Sequence, residues 1–193
     1  MDDSCYHKYY QALYRVAVAL GETMDTQVVL EQLVRGVVAA LNLKAASIRL
    51  LTSEGTLETV AVHGLSAQYQ QKGPVDIRHS AIDRQALTGD TVQIEDVAVD
   101  PRFEYPSEAR QEGIVSAVFV PLVARSQPIG VLRVYTAEKR IFSAGEIDLL
   151  RALADLGALA ITNARLYSAC LRAQEMTTEA LWSFHLPEEW LEG

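Results

Sequence analysis

Cysteine is scarce in this chain: Cys5 and Cys170 are its two thiols, near opposite ends of 193 residues. With no CxxC pair and no Cys/His cluster, neither a disulfide framework nor a thiolate metal site is expected. The histidines His7, His63, His79 and His185 are scattered without the ligand spacing of a zinc or haem site. Basic charge is short as well, with 17 Lys and Arg against 25 Asp and Glu and a net charge of −8. Gripping bulk nucleic acid or an anionic membrane surface takes a basic patch, so neither partner is expected. No run approaches the roughly 18–20 apolar residues of a membrane span. The acidic, aromatic start MDDSCYHKYY is unlike a signal peptide. A cytoplasmic location is therefore the expectation. Nucleophile elbow, P-loop, GxGxxG and HExxH are all missing, and no Ser/His/Asp set stands out. No catalytic residue, no metal ligand and no enzymatic activity are expected, and the sequence names no cofactor.

What is present is an ordinary globular balance, 49% hydrophobic and 22% charged. The length suits one domain with extra helix. From Ser4 to about Leu20, Tyr6, Tyr10, Leu13, Ala17 and Leu20 recur near helical spacing, with Ser4 as a cap and Gly21 as a stop. Asp25 to Leu41 repeats the pattern with Val28, Val29, Leu33, Val37 and Leu41, capped by Asp25. The period then changes to two. Strands over 46–52 and 56–64 flank the polar turn SEGT, a hairpin signal.

Ser66 to Lys72 is polar and reads as loop or helix. SAIDRQALTG (80–89) is a short helix between Ser80 and Gly89, and TVQIEDV (91–97) is a strand. Asp100 to Gly113 is a loop with a helical turn at 107–111. Two apolar strands follow within 116–142, the second over 129–136, joined through a Pro-Ile-Gly turn. A long helix starts at Ser143. The fold class this order predicts is α+β: an antiparallel sheet of five to six strands with the terminal helices on one face.

Strand alternation sorts the faces. Ala46, Ile48 and Leu50, like Gly130, Leu132 and Val134, form apolar sets that suit the helices. The opposite sets, Ser47, Arg49 and Leu51 and Val131, Arg133 and Tyr135, each carry an arginine.

The strand, turn, Gly-Val-Leu strand, Phe142, capped helix and Asn-Ala-Arg-Leu-Tyr ending (163–167) resemble the C-terminal half of a GAF domain. The resemblance spans roughly residues 25–171 and includes Asp-Pro-Arg at 100–102. It implies a small-molecule sensor and dimerisation module, and makes the two arginine-bearing strands central neighbours. The face away from the terminal helices would floor a ligand cavity walled by short helices and loops. Ser47, Arg49, Arg133 and Tyr135 would line it, with Phe103 and Tyr105 either plugging it or stacking on a planar ligand. Two guanidiniums there need anions, because burying unpaired charge is costly. The anion is either a small ligand or a loop carboxylate from Glu95, Asp96, Asp100, Glu104 and Glu108; a carboxylate displaced on binding satisfies both.

Other members' signatures are incomplete here. Neither cysteine sits where a bilin would attach, and the lid cysteines of the methionine sulfoxide reducing members are missing. Lys139, Phe142 and Glu146 match only part of the cyclic-nucleotide signature. The related PAS fold usually lacks both the two-helix start and the Asn-Ala-Arg-Leu-Tyr ending.

The long helix carries two apolar stripes, one through Ile147, Leu150, Ala154, Gly157, Ile161 and Ala164, the other through Leu149, Leu153, Leu156, Ala160, Tyr167 and Cys170. Two stripes call for two partners. The domain is expected to bury the helix up to about residue 172, leaving Leu171, Leu181, Trp182 and Phe184 for another surface. The organisation expected is an N-terminal dimerisation helix (1–24), a sensor domain (25–171) and a helical extension (172–193). The partners expected are a small, anionic ligand, a second copy through the terminal helices, and a kinase or transcription regulator as effector. Folding back within one monomer, a ligand-free dimerisation module, or a redox enzyme variant of the family are the alternatives.

Overall fold

A computed structural model describes residues 3–23, 25–71 and 73–183, and side chains within 7–176. The element order is α1 (Asp3–Glu22), α2 (Thr26–Leu41), β1 (Ala45–Leu51), β2 (Thr56–His63), α3 (Ala67–Gln70), β3 (Val75–Asp76), α4 (Ala81–Ala86), β4 (Val92–Ile94), α5 (Pro106–Glu112), β5 (Ser116–Ala124), β6 (Gln127–Thr136) and α6 (Ala144–Ser183). The sheet is six-stranded in the order β3-β2-β1-β6-β5-β4, and every pairing is antiparallel. The α+β expectation holds.

Local chemistry explains most boundaries. The Asp25 side chain accepts from Gln27 N at 2.9 Å and opens α2. Asn42, at φ 51°, closes it in the left-handed region, its N–H bonding Val38 O. Ser143 and Glu146 form a reciprocal box at the start of α6, with Ser143 N donating to Glu146 Oε2 at 2.8 Å and Glu146 N donating to Ser143 Oγ at 3.4 Å. Arg140 bridges from Glu146 to Leu41 O, tying α6 to the end of α2.

Several sequence expectations shift. α1 begins at Asp3, so Ser4 lies inside it and is no cap, and it runs through Gly21 to Glu22. Its buried face is Ala12, Val16 and Ala19, with Tyr9, Leu13 and Leu20 alongside. Tyr10 and Ala17 point outward, because the small side chains let α1 lie close on its neighbours. In α2, Leu30 and Val34 join the buried face while Val28 is exposed. The β5–β6 turn is Arg125-Ser126, both at positive φ, closed by the Ala124–Gln127 pair. That is the tight hairpin form whose twist matches its strands, so Pro128, Ile129 and Gly130 belong to β6 and not to the turn. A Cβ on Gly130 would meet Arg49 O at 2.3 Å across the β1–β6 ladder. β4 is shorter than expected and ends at Ile94.

Two cores result. Ala46, Ile48, Leu132 and Val134 pack with Leu33, Val37, Leu150 and Leu153 under α1, α2 and α6. On the other face, Val131, Tyr135 and Phe119 pack with Ile82, Ala86, Ala109 and Val97. The face assignment read from strand alternation is therefore correct. Burial of α6 stops earlier than expected. Among the described side chains Ile161 is its last buried residue, and every residue from Arg165 to Met176 is exposed. A 40-residue helix runs about 60 Å, whereas a nine-residue strand such as β5 spans about 30 Å. Half of α6 therefore overhangs the sheet. The side chains of Ser4, Cys5, Tyr6, Leu181 and Trp182, and Phe184 altogether, lie outside the described residues.

Candidate functional site

Arg49 and Arg133 lie on one face, diagonal across adjacent strands: Ser47 is opposite Arg133 and Arg49 opposite Val131. Both are buried. They line a cavity between the sheet and the α3, α4 and loop layer, together with Tyr69, Asp83, Phe103, Glu104, Tyr105, Phe119 and Tyr135. Ser47 is buried in the sheet and does not line the cavity. Of the six residues expected at the site, five meet there and Ser47 does not.

The anion beside Arg133 is Asp83. Its Oδ1 lies 2.7 Å from Arg133 Nη2, with both side chains almost fully buried. Asp83 Oδ2 accepts from Ser80 Oγ at 2.6 Å. Of the loop carboxylates expected to serve the guanidiniums, Glu104 alone lines the cavity. Glu95 pairs with Lys139 and Asp100 with Arg102 instead. Asp83 was hidden in plain view. Ser80-x-x-Asp83 reads as a helix cap, and it does cap α4. Only the tertiary placement of α4 against β5 and β4 turns the same carboxylate inward.

Arg49 has no carboxylate within ion-pair distance among the described residues. Its Nη1 donates to Leu57 O at 3.3 Å and Gly73 O at 3.2 Å. Burial, and then the neighbouring Arg133, pull its pKa below the ordinary value. Burial also acts against Arg133, but Asp83 and Tyr135 outweigh it and its pKa ends raised. The Nε of each arginine and Oε1 of Glu104 are buried without a hydrogen-bond partner. Burial and then Asp83 push the Glu104 carboxyl up, against the pull of Arg133.

Aromatic rings make most of the remaining wall. Phe119 sits under Arg133, 5.5 Å from its guanidinium carbon, and Tyr69 meets Tyr135 edge-on at 6.3 Å. Burial raises the Tyr69 hydroxyl pKa. Phe103 packs into the second core and Tyr105 forms the rim. The free space left is about 40 Å³, room for a few water molecules at most.

No group of three or more His, Cys, Asp or Glu among the described residues could hold a metal. Cys170 is a free thiol on the exposed part of α6, remote from the cavity. Among the described residues no helix is long and apolar enough to cross a membrane.

An antiparallel six-stranded sheet with terminal helices on one face and a walled cavity on the other defines a small sensory-module architecture. The family model for the GAF domain matches residues 23–162, and the chain belongs to that family of sensory and regulatory modules. Comparison with curated protein sequences gives no match. Among solved structures, the GAF domain of a phosphoenolpyruvate-protein phosphotransferase from Coxiella burnetii superposes with a TM-score of 0.75 at 18% identity, over 84% of this chain and 98% of that one. The corresponding domain from Acinetobacter gives 0.71 at 21% identity, over 86% and 97%. A free methionine-R-sulfoxide reductase from Neisseria meningitidis, solved with its substrate, gives 0.71 at 18% identity, over 86% and 95%. GAF domains are generally regulatory, and this last neighbour is an enzyme on the same fold.

Proposed function

We propose that the chain is a signal-sensing module that binds a small, anionic molecule over Arg49 and Arg133 and transmits binding through a helical dimer interface. The observation that carries the anionic reading is a charge mismatch: two buried guanidiniums face one committed carboxylate, Asp83. Binding at this position would press on the Phe103–Tyr105 loop and on α4. The module has no catalytic role in this reading.

Residues 25–171 form the sensor in this scheme, with 1–24 and 172–193 as flanking helical elements. Dimerisation through α1 and α6 is supported by exposed apolar surface: Tyr10 and Tyr14 stack outward on α1 at 6.0 Å. Leu159, Leu166, Tyr167, Leu171 and Met176 are exposed on α6. Exposed large apolar side chains concentrated on two helices are what an interaction surface would use. An effector such as a kinase or transcription regulator in the cytoplasm would read the change.

A second reading has one observation in its favour. The cavity is nearly full, with Phe103 packed into the core, as expected of a GAF domain used only to dimerise. Native mass spectrometry of the protein purified from its own host separates the two. A co-purified small anion, lost in Arg49→Met, supports the sensor. Bare dimer at every preparation supports the dimerisation module.

A further inference from the structure

Glu104 is the feature of this cavity that the sensor reading leaves unused. It hangs from the loop between β4 and α5 with Oε1 buried and unbonded, and among the described residues no ion pair joins it to either guanidinium. The groups that act on it electrostatically are Asp83 on α4, Arg133 on β6, and Asp76 and His79 at and after β3. Arg49 on β1, Tyr69 on α3, Tyr135 on β6 and its loop neighbours Arg102 and Tyr105 line the same cavity. Arg102 is committed to Asp100 at 2.7 Å, and Arg78 to Asp76 at 2.6 Å.

Charge balance follows. Arg49 and Arg133 bring two positive charges and Asp83 one negative. Ionised Glu104 makes the set neutral, whereas protonated Glu104 leaves one positive charge over. A monoanion is therefore matched only while Glu104 carries a proton, and a dianion is matched in neither state. The remaining walls, Tyr69, Phe103, Phe119 and Tyr135, present rings to whatever sits on the guanidiniums, which suits a flat apolar body.

We propose that the cavity takes up a small aromatic monocarboxylic acid in two parts, its carboxylate on Arg49 and Arg133 and one proton on Glu104. The proposal rests on the anion-site reading above. The ligand enters as an anion, a solvent proton joins the Glu104 carboxylate, and the net event adds one neutral acid. No covalent bond of the ligand changes. Because the free space is about 40 Å³, the Arg102–Tyr105 loop must move outward to admit a ring. The burial that disfavours the charged form of Glu104 favours its taking the proton when a second carboxylate enters the cavity.

Benzoate serves as the probe, titrated calorimetrically into the full chain in buffers of different ionisation enthalpy at pH 6 and pH 7.5. The expected result is uptake of about one proton per benzoate at the higher pH, with affinity falling about tenfold per pH unit, the slope for one linked proton. Glu104→Gln should bind benzoate without proton uptake and with affinity nearly independent of pH, and Glu104→Ala should behave alike. Benzoate binding without proton uptake in the unmodified protein overturns the proposal, as does uptake that survives Glu104→Gln. Tighter binding of zwitterionic L-phenylalanine than of benzoate overturns it too. If acetate or phosphate binds and benzoate does not, this proposal fails while the anion-sensor reading stands. If none of the three binds, both fail.

Discussion

Replacing Asp83 with asparagine keeps its shape and removes its charge, leaving Arg133 buried without its ion-pair partner. At 2.7 Å, the lost attraction is about 6 kcal/mol for an effective dielectric near 20. Part of that is offset, because Asp83 no longer has to be desolvated, and Ser80 Oγ can still bond the amide. The net loss expected is about 3–5 kcal/mol, the range for breaking a buried pair from one side. That is a large share of a typical domain's stability. Urea unfolding at pH 7, followed by far-ultraviolet circular dichroism, reads it as a lower midpoint at unchanged slope. The double variant Asp83→Leu with Arg133→Met removes both charges and should recover most of the loss, because no orphaned charge remains. A loss below about 1 kcal/mol for Asp83→Asn would refute the reasoning. So would a double variant as unstable as the single one.

Glu104→Gln should stabilise the protein at pH 7 by about 1 kcal/mol, since it removes a partly buried carboxylate with an unbonded oxygen. The sign follows from the raised Glu104 pKa. Between the ordinary carboxylate range and that raised value the native state holds more proton than the unfolded state, so stability falls as pH rises through this window. Thermal melts from pH 4 to 8 should show the two proteins converging at the acid end, and a gap that persists there contradicts the assignment. Gly130→Ala should cost about 1–3 kcal/mol, because its Cβ would meet Arg49 O at 2.3 Å; an unchanged denaturation midpoint would show that the ladder can yield. Leu159→Glu with Leu166→Glu should leave a folded monomer in sedimentation velocity at micromolar concentration, and a dimer that survives both changes places the interface elsewhere.

The sequence determined much of this protein by itself. Period-two alternation set which residues of β1 and β6 face the helices, because a strand cannot turn one side chain without turning its neighbours. Asp25, Ser80 and Ser143 marked helix starts, because capping is satisfied within a few residues. The arginine pair could be read from phase alone once the strands were neighbours. Tertiary structure decided the rest. The partner of Arg133 depends on how α4 lies over the sheet, and Asp83 looks like any capping aspartate until that contact forms. Which face of α1 is buried depends on the small residues Ala12, Val16 and Ala19 lying close to the core, with Tyr10 and Tyr14 left outward. The point where α6 ceases to be buried is set by the width of the sheet beneath it. No local pattern encodes that width, since the helix is apolar on both stripes well beyond the last strand it touches.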